Sequence, residues 1–517
     1  MPDTRHQPNH PHATDRLASR AWQCVLTYKL CILSTLLSGL AAHLFFLSHK
    51  LVTFDDPLFT YGHGYASGRW GLDILRHLVP PFSMPWFNGM VSLTLLAVTM
   101  VVVVRLLGIR RPVLQALLPA VMATSALQVS IFLFMCASTP YALSLLLAVL
   151  SSWFVTRPGR YNFALASMLL MLSISLYQVY VTVAVALLLV MACLRLLDTR
   201  PLERATIRHW IVRVVAYLSI AVAVYFVIAL TLIQLKGGLQ VASNYDYAMS
   251  TGFSVPLIEH FTGVYTKFVD MFIQGRTGII STPLSVVLHT VLLLAVIGTV
   301  LHRQWQQEGK WRLAAQAAIL LVALPATINL FWLLLAPAHW NTLTIYAFMA
   351  VYALATAVAD RCVSRQWLTD TVAVCLAGIV ACNIYFANRT YLQVHIYNTN
   401  NTAFYTGVIT QVKLMPELQP GTQLALVGLA QQFVYNPDRS ISYNGIRGQG
   451  PITNVYSRRE FIIHHLGFDI PILNSYDPLQ QQLEADPRVK AMPAYPASGS
   501  IQAFDNIIVV KLGNLPS

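Results

Sequence analysis

The chain has 517 residues, of which 56% are hydrophobic and only 11% charged, with a mean hydropathy of +0.58. Soluble domains carry about a quarter charged residues, so this composition argues against a soluble enzyme and for a chain that uses lipid as solvent. The formal charge of +13 would raise nucleic acid as a partner, but membrane proteins gather Lys and Arg on one face for another reason.

Residues 1–29 are polar and hold His6, His10 and His12 among Pro and Asn. They read as a disordered cytoplasmic tail rather than a metal site. The apolar run 30–49 is too long for a signal-peptide core and lacks a convincing cleavage site, so it is expected to stay as a span. Ten further apolar runs lie near 88–109, 113–134, 141–156, 161–177, 180–197, 211–235, 284–302, 313–335, 342–360 and 369–388. Together they predict about eleven spans. The seven cysteines lie inside or beside these runs without CxxC or CxxH spacing, which fits small buried hydrophobes rather than a disulfide framework or a zinc site.

With the N-terminus inside, the inner segments hold 19 of the 34 basic residues and the membrane-proximal outer loops hold six. The other nine follow residue 388. The charge is therefore a topology signal, not a nucleic-acid footprint, and eleven spans put the C-terminus outside. Two outer loops are long, 50–87 and 236–283. The remaining outer connections, near 137–140, 177–180 and 337–341, are expected to be tight turns. After residue 388 the composition becomes soluble, with a helix expected over 401–414, strands over 423–427 and 506–512, and an amphipathic stretch at 478–484. The expected architecture is an α-helical polytopic membrane protein with a small C-terminal α/β domain on the outer face. Its parts are a tail 1–29, a membrane region 30–388 and an outer domain 389–517.

No GxxxxGK[ST], GxGxxG, HExxH or GxSxG pattern occurs. The informative stretch is FDDPLFTYGHGYASGRWGLDILRHLVP, residues 54–80. Two adjacent carboxylates, Asp55 and Asp56, repel each other at a membrane surface, and partial desolvation raises at least one pKa. That suits a general base working near neutral pH. Asp56 before Pro57 equally fits a helix N-cap followed by Pro at the first helical position, so Asp55 is the preferred base.

Arg69 could grip a lipid phosphate with its planar fork of donors, with Trp70 beside it as a further substrate-binding candidate; the bland alternative is an Arg reaching for headgroups beside a belt tryptophan. Asp73 and Arg76 suit an ordinary helix-surface pair. In the second long loop Tyr245 and Asp246 suit a glycan, while Lys267 and Arg276 are further phosphate binders. An interfacial amphipathic helix over 255–271 explains much of the same composition. His339 lies in an outer turn and is a further candidate. No Asp, Glu, Lys or Arg falls mid-span, which weakens an ion-coupled transporter. Gln115, Gln128, His289 and Asn329 are expected to make interhelical hydrogen bonds. The adjacent His464 and His465 face different sides of a helix, against a metal site. No metal ligand set is assigned.

FDDP after the first span and GRW before the chain returns to the membrane resemble the GtrII-type glucosyltransferases of bacteria and their serotype-converting phages. The many-span plan with an acidic pair in the first outer loop also resembles the broader GT-C class. The resemblance covers about 30–390 and is weaker beyond. It implies transfer of glucose from a polyprenyl-phosphate carrier to O-antigen or another surface glycan, at the periplasmic face of the bacterial inner membrane. It maps the base onto Asp55 or Asp56 and places Arg69 near the donor phosphate. A second Arg expected before the tenth span is replaced by His339. No cofactor is required, although a carboxylate pair can hold a divalent metal. The rival readings are a transporter or flippase of lipid-linked saccharide, and a GT-C transferase using another sugar.

Overall fold

The computed structural model describes residues 19, 22–53, 68–79, 82–198, 204–235, 256–275, 282–305, 310–330, 332, 342–362, 366–428, 455–474 and 477–513. The first apolar run forms α1 (Lys29–Ser48), and the short α2 (Trp70–Leu78) precedes α3 (Pro85–Leu107). The next run is bent by 48° between α4 (Pro112–Thr124) and α5 (Ala126–Phe132). Then come α6 (Met135–Val155), α7 (Arg160–Leu176), a 3₁₀ turn at Gln178–Tyr180 and α8 (Val181–Asp198). Helix α9 (Arg204–Leu235) ends before the second long loop, which contributes α10 (Leu257–Phe272). After α11 (Pro283–Trp305) and α12 (Lys310–Ile328), the 3₁₀ turn Tyr346–Met349 leads into α13 (Ala350–Arg361). Finally α14 (Gln366–Lys413) runs unbroken for 48 residues.

Among the described residues seven helices are long and apolar enough to cross a membrane, or eight if the bent pair is one span. Large apolar side chains such as Leu33 and Leu37 of α1, Phe226 and Leu230 of α9, and Leu294 of α11 are exposed, as on a surface that lipid covers. The chain is a polytopic helical membrane protein.

Small residues let the helices approach closely, the packing mode lipid favours because apolar burial alone cannot drive helices together there. A Cβ on Gly39 of α1 would sit 2.6 Å from Leu93 of α3, and one on Gly89 of α3 would overlap Leu47 of α1. The two antiparallel helices thus seat a leucine on a glycine at two levels, one from each helix. Of the four polar groups expected to bond between helices, three reach other elements, while Gln115 bonds the chain just before its own helix. His289 meets the Tyr352 hydroxyl at 2.6 Å, Asn329 donates to the Val264 carbonyl at 3.1 Å, and Gln115 donates to the Ile109 carbonyl at 2.9 Å. Tyr346 donates to Gln128 Oε1 at 3.4 Å. At the α4–α5 bend His43 Nε2 lies 2.8 Å from the Ala123 carbonyl and Nδ1 lies 2.8 Å from the Tyr391 hydroxyl. A carbonyl can only accept, so Nε2 carries the proton and Tyr391 donates to Nδ1.

Segments that the basic-residue count assigns to the inner side touch one another. The Arg110 and Arg111 backbone N–H groups donate to the Asp360 carboxylate at 2.8–3.1 Å. Arg213 donates to the Val155 and Arg157 carbonyls at 2.8 and 2.7 Å.

Beyond α14 the chain builds a second core. Strand β1 (Gln423–Val427) is followed by α15 (Val455–Glu460), α16 (Pro478–Ala485) and α17 (Pro487–Ala491), then β2 (Ile501–Phe504) and β3 (Ile507–Lys511). The sheet order is β1-β3-β2, with β1 parallel and β2 antiparallel to β3. Leu424, Leu426, Ile508 and Val510 pack on Tyr405, Val408, Ile409 and Val412 of α14. The other face, Ala425, Val427 and Val509, packs on Leu483, Val489 and Met492. Burial on both faces explains why QLALV and IIVV read as nearly continuous apolar runs.

Gly428 ends β1 with φ +77°, and a Cβ there would overlap the Gly513 backbone carbonyl, which cannot swing aside. Gly428→Ala is expected to cost the second core about 1–3 kcal/mol from backbone conformation alone. Limited proteolysis of the detergent-solubilised protein should then cut the chain after α14 faster. Unchanged cleavage would refute this account of the turn.

Three local expectations are corrected. The turn near 137–140 is not a turn: the chain reverses at 133–134, and Pro140 lies inside α6. The helix expected over 401–414 is the end of α14, because no proline falls between 366 and Pro416 to stop it. The Asp73–Arg76 pair forms at 3.7 Å, but Asp73 is buried rather than on the surface.

Candidate active site

Gly68 and Arg69 lead into α2. Gly68 has φ +71°, and a Cβ there would lie 2.5 Å from the Tyr225 hydroxyl, which donates to the Gly68 carbonyl at 2.8 Å. Only glycine allows α9 to hold the loop this closely. Arg69, at the N-cap of α2, turns inward between helices and does not reach out as a headgroup anchor would. Its guanidinium donates to the Tyr141 hydroxyl at 3.1 Å and to Gln178 Oε1 at 3.4 Å, and lies 5.1 Å from the Tyr177 ring centroid.

Behind it Tyr141 and Tyr177 stack at 4.1 Å, and Gln178 donates to the Tyr225 hydroxyl at 3.4 Å. Tyr177 donates to the Leu343 carbonyl at 3.0 Å. The beginning of α6, the chain after α7, the interior of α9 and the chain before α13 therefore converge around one half-buried cation. A guanidinium attracts an oxyanion and can present parallel N–H donors to it.

Trp70 is buried, not a belt residue, and its indole N–H has no hydrogen-bond partner among the described residues. Lys267, on α10, pairs with Asp270 at 3.9 Å and lies 5.7 Å from the Trp332 ring centroid. Asp55, Asp56, Tyr245, Asp246, Arg276 and His339 lie outside the described residues. Of the candidates, Arg69 and Trp70 thus stand together, with Lys267 on a separate element. Tyr141, Tyr177, Gln178 and Tyr225 complete the site and escape sequence reasoning. Tyr141, Tyr177 and Gln178 leave a trace only as aromatic and amide residues at the outer ends of apolar runs, where belt anchoring explains them equally well, and Tyr225 lies inside the run 211–235.

The root of the first outer loop is fixed by contacts of its own. Lys50 Nζ donates to the Ser83 hydroxyl at 2.6 Å, and the Thr53 hydroxyl donates to the Leu133 carbonyl at 2.5 Å. Val52 bonds Asn398 of α14 through both its backbone groups. Burial and the Lys50 ammonium push the His465 pKa below its ordinary value. Next to it, His464 meets Glu460 at 3.1 Å while His465 stacks on Phe461, so the two rings have separate surroundings.

The family model for Glucosyl transferase GtrII matches residues 44–356, which include the loop root and every residue around Arg69. No curated protein and no solved structure matches the chain. With more than half of its length matched, the chain belongs to the GtrII glucosyl transferase family and is a glycosyltransferase.

Proposed function

We propose that the protein moves glucose from a polyprenyl-phosphate carrier to O-antigen or another cell-surface glycan at the periplasmic face of the bacterial inner membrane. The observation that carries this reading is the half-buried Arg69 guanidinium held by Tyr141, Gln178 and Tyr177, within the segment that matches a glucosyl transferase family. A lipid-linked sugar phosphate offers such a cation its oxyanion while the lipid chain stays in the bilayer.

An acceptor hydroxyl attacks the anomeric carbon and gives its proton to Asp55 or Asp56. The bond from that carbon to the phosphate oxygen breaks, and polyprenyl phosphate leaves with the electron pair, steadied by Arg69. Single displacement inverts the anomeric configuration. The Trp70 indole N–H is assigned to a sugar oxygen. Tyr245 and Asp246 are assigned to sugar hydroxyls, and Lys267, Arg276 and His339 to the phosphate side.

Eleven spans, a cytoplasmic N-terminus and a periplasmic α/β domain over 389–517 complete this reading. The mutual contacts of Arg110, Arg111 and Asp360, and of Arg157 and Arg213, support a common inner side.

Mass analysis of surface glycan from cells with and without the protein tests the transfer. The expected result is one added hexose, identified as glucose. A different increment rejects glucose. An unmodified glycan, with the donor merely moved between leaflets, would make the protein a flippase.

A further inference from the structure

The chain leaves α1 and enters the first outer loop through two buried residues, Val52 and Thr53, that are both held by hydrogen bonds. The Val52 N–H donates to Asn398 Oδ1 at 2.7 Å, and Asn398 Nδ2 donates back to the Val52 carbonyl at 2.7 Å. A carboxamide carries its acceptor and donors side by side. Asn398 therefore gives both backbone groups of one residue what a neighbouring strand would give them. The Val52 side chain meanwhile sits in the second core with Tyr405, Val408, Leu424 and Phe461. One position on, the Thr53 hydroxyl bonds the carbonyl of Leu133, just past the last turn of α5, where helical carbonyls lack an intrahelical partner. Asn398, Val52 and Thr53 are 8%, 2% and 1% exposed, so water cannot replace these bonds.

Asp55 follows Thr53 by two positions. We propose that Asn398 is a positioning residue for glucosyl transfer, its carboxamide holding the peptide groups of Val52 and so fixing the chain three residues before Asp55. This rests on reading that acidic pair as the source of the base. It gives a role in the reaction to α14, which lies beyond the matched residues 44–356.

The test compares Asn398→Leu, which keeps the size but neither hydrogen-bonding group, with Asn398→Asp, which keeps only the acceptor, and Thr53→Val, which keeps the shape but not the hydroxyl. Membrane vesicles receive polyprenyl-phosphate glucose labelled in the sugar, and transfer to endogenous glycan is followed per unit of folded enzyme. For Asn398→Leu the maximal rate should fall about 10- to 100-fold, the scale on which small misplacements of reacting groups act, while half-saturation by the donor moves less than about 3-fold. Hydrogen exchange at the Val52 amide should quicken in step.

Asn398→Asp should fall between Asn398→Leu and the parent, and Thr53→Val should lose rate in the same sense. These two variants decide the matter if Asn398→Leu does not fold. A parental maximal rate in the folded Asn398 variants overturns the inference. So does a loss confined to the amount of folded protein. Asp55→Asn and Asp56→Asn are run beside them. If both transfer at the parental rate, the acidic-pair reading fails and this inference fails with it. If either is inactive while Asn398→Leu keeps the parental rate, positioning alone is refuted.

Discussion

Replacing Asp55 or Asp56 by Asn is expected to lower glucosyl transfer by about 10²–10⁴-fold, the contribution of a positioned general base. Asn keeps the size and the polar outline of the side chain but cannot take a proton from the acceptor hydroxyl. The substitution also separates two roles for Asp56, because Asn caps a helix N-terminus about as well as Asp does. If Asp56 only caps, Asp56→Asn should transfer at close to the parental rate while Asp55→Asn is inactive. Labelled lipid donor should persist in the inactive variant and still reach the outer leaflet. Full activity in both single variants would remove the acidic pair from the mechanism.

The second large effect is expected at Arg69. Lysine keeps the charge but not the planar fork, and it cannot reach both Gln178 and the Tyr141 hydroxyl as the guanidinium does. Removing one donor to a developing oxyanion costs about 10²–10³-fold in other hydrolytic and transfer sites, and Arg69→Lys is expected on that scale. Gly68→Ala is the companion variant, because it leaves the guanidinium intact and pushes its backbone against Tyr225. It should lower the rate in the same direction. A lysine variant with the parental rate and donor saturation would move the phosphate site elsewhere, with Lys267 and Arg276 the next residues to test.

Much of the membrane region is legible in the sequence because lipid imposes one requirement, a long apolar helix, at each crossing. The buried parallel strands are equally plain: 423–427 is read at its observed bounds, since QLALV has an apolar run too short for a helix. The features that escape depend on tertiary partners. Ile501–Phe504 carries no apolar run and becomes a strand by pairing with β3. Nothing local shows that α14 continues past its apolar part, because NRTYLQVHIYNTN is polar without being helix-breaking.

The same holds at the candidate site. Arg69 can be singled out because an Arg after Gly beside a membrane is conspicuous. Gln178 and Tyr225 lie 109 and 157 residues from their partners in that cluster, a separation over which spacing arguments have no hold. The base itself, by contrast, rests wholly on the sequence.

Helix α14 has a further consequence. At 1.5 Å per residue its 48 residues span about 72 Å, more than twice the roughly 30 Å hydrocarbon thickness of a bilayer. A helix transmits height and phase together, since each added residue lifts the rest of the chain by 1.5 Å and turns it by about 100°. Asn398, which grips Val52, and Tyr405, which packs with Val52 in the second core, lie about two turns apart on one stripe. The segment between them therefore works as a gauge block that admits substitution more readily than a change of length.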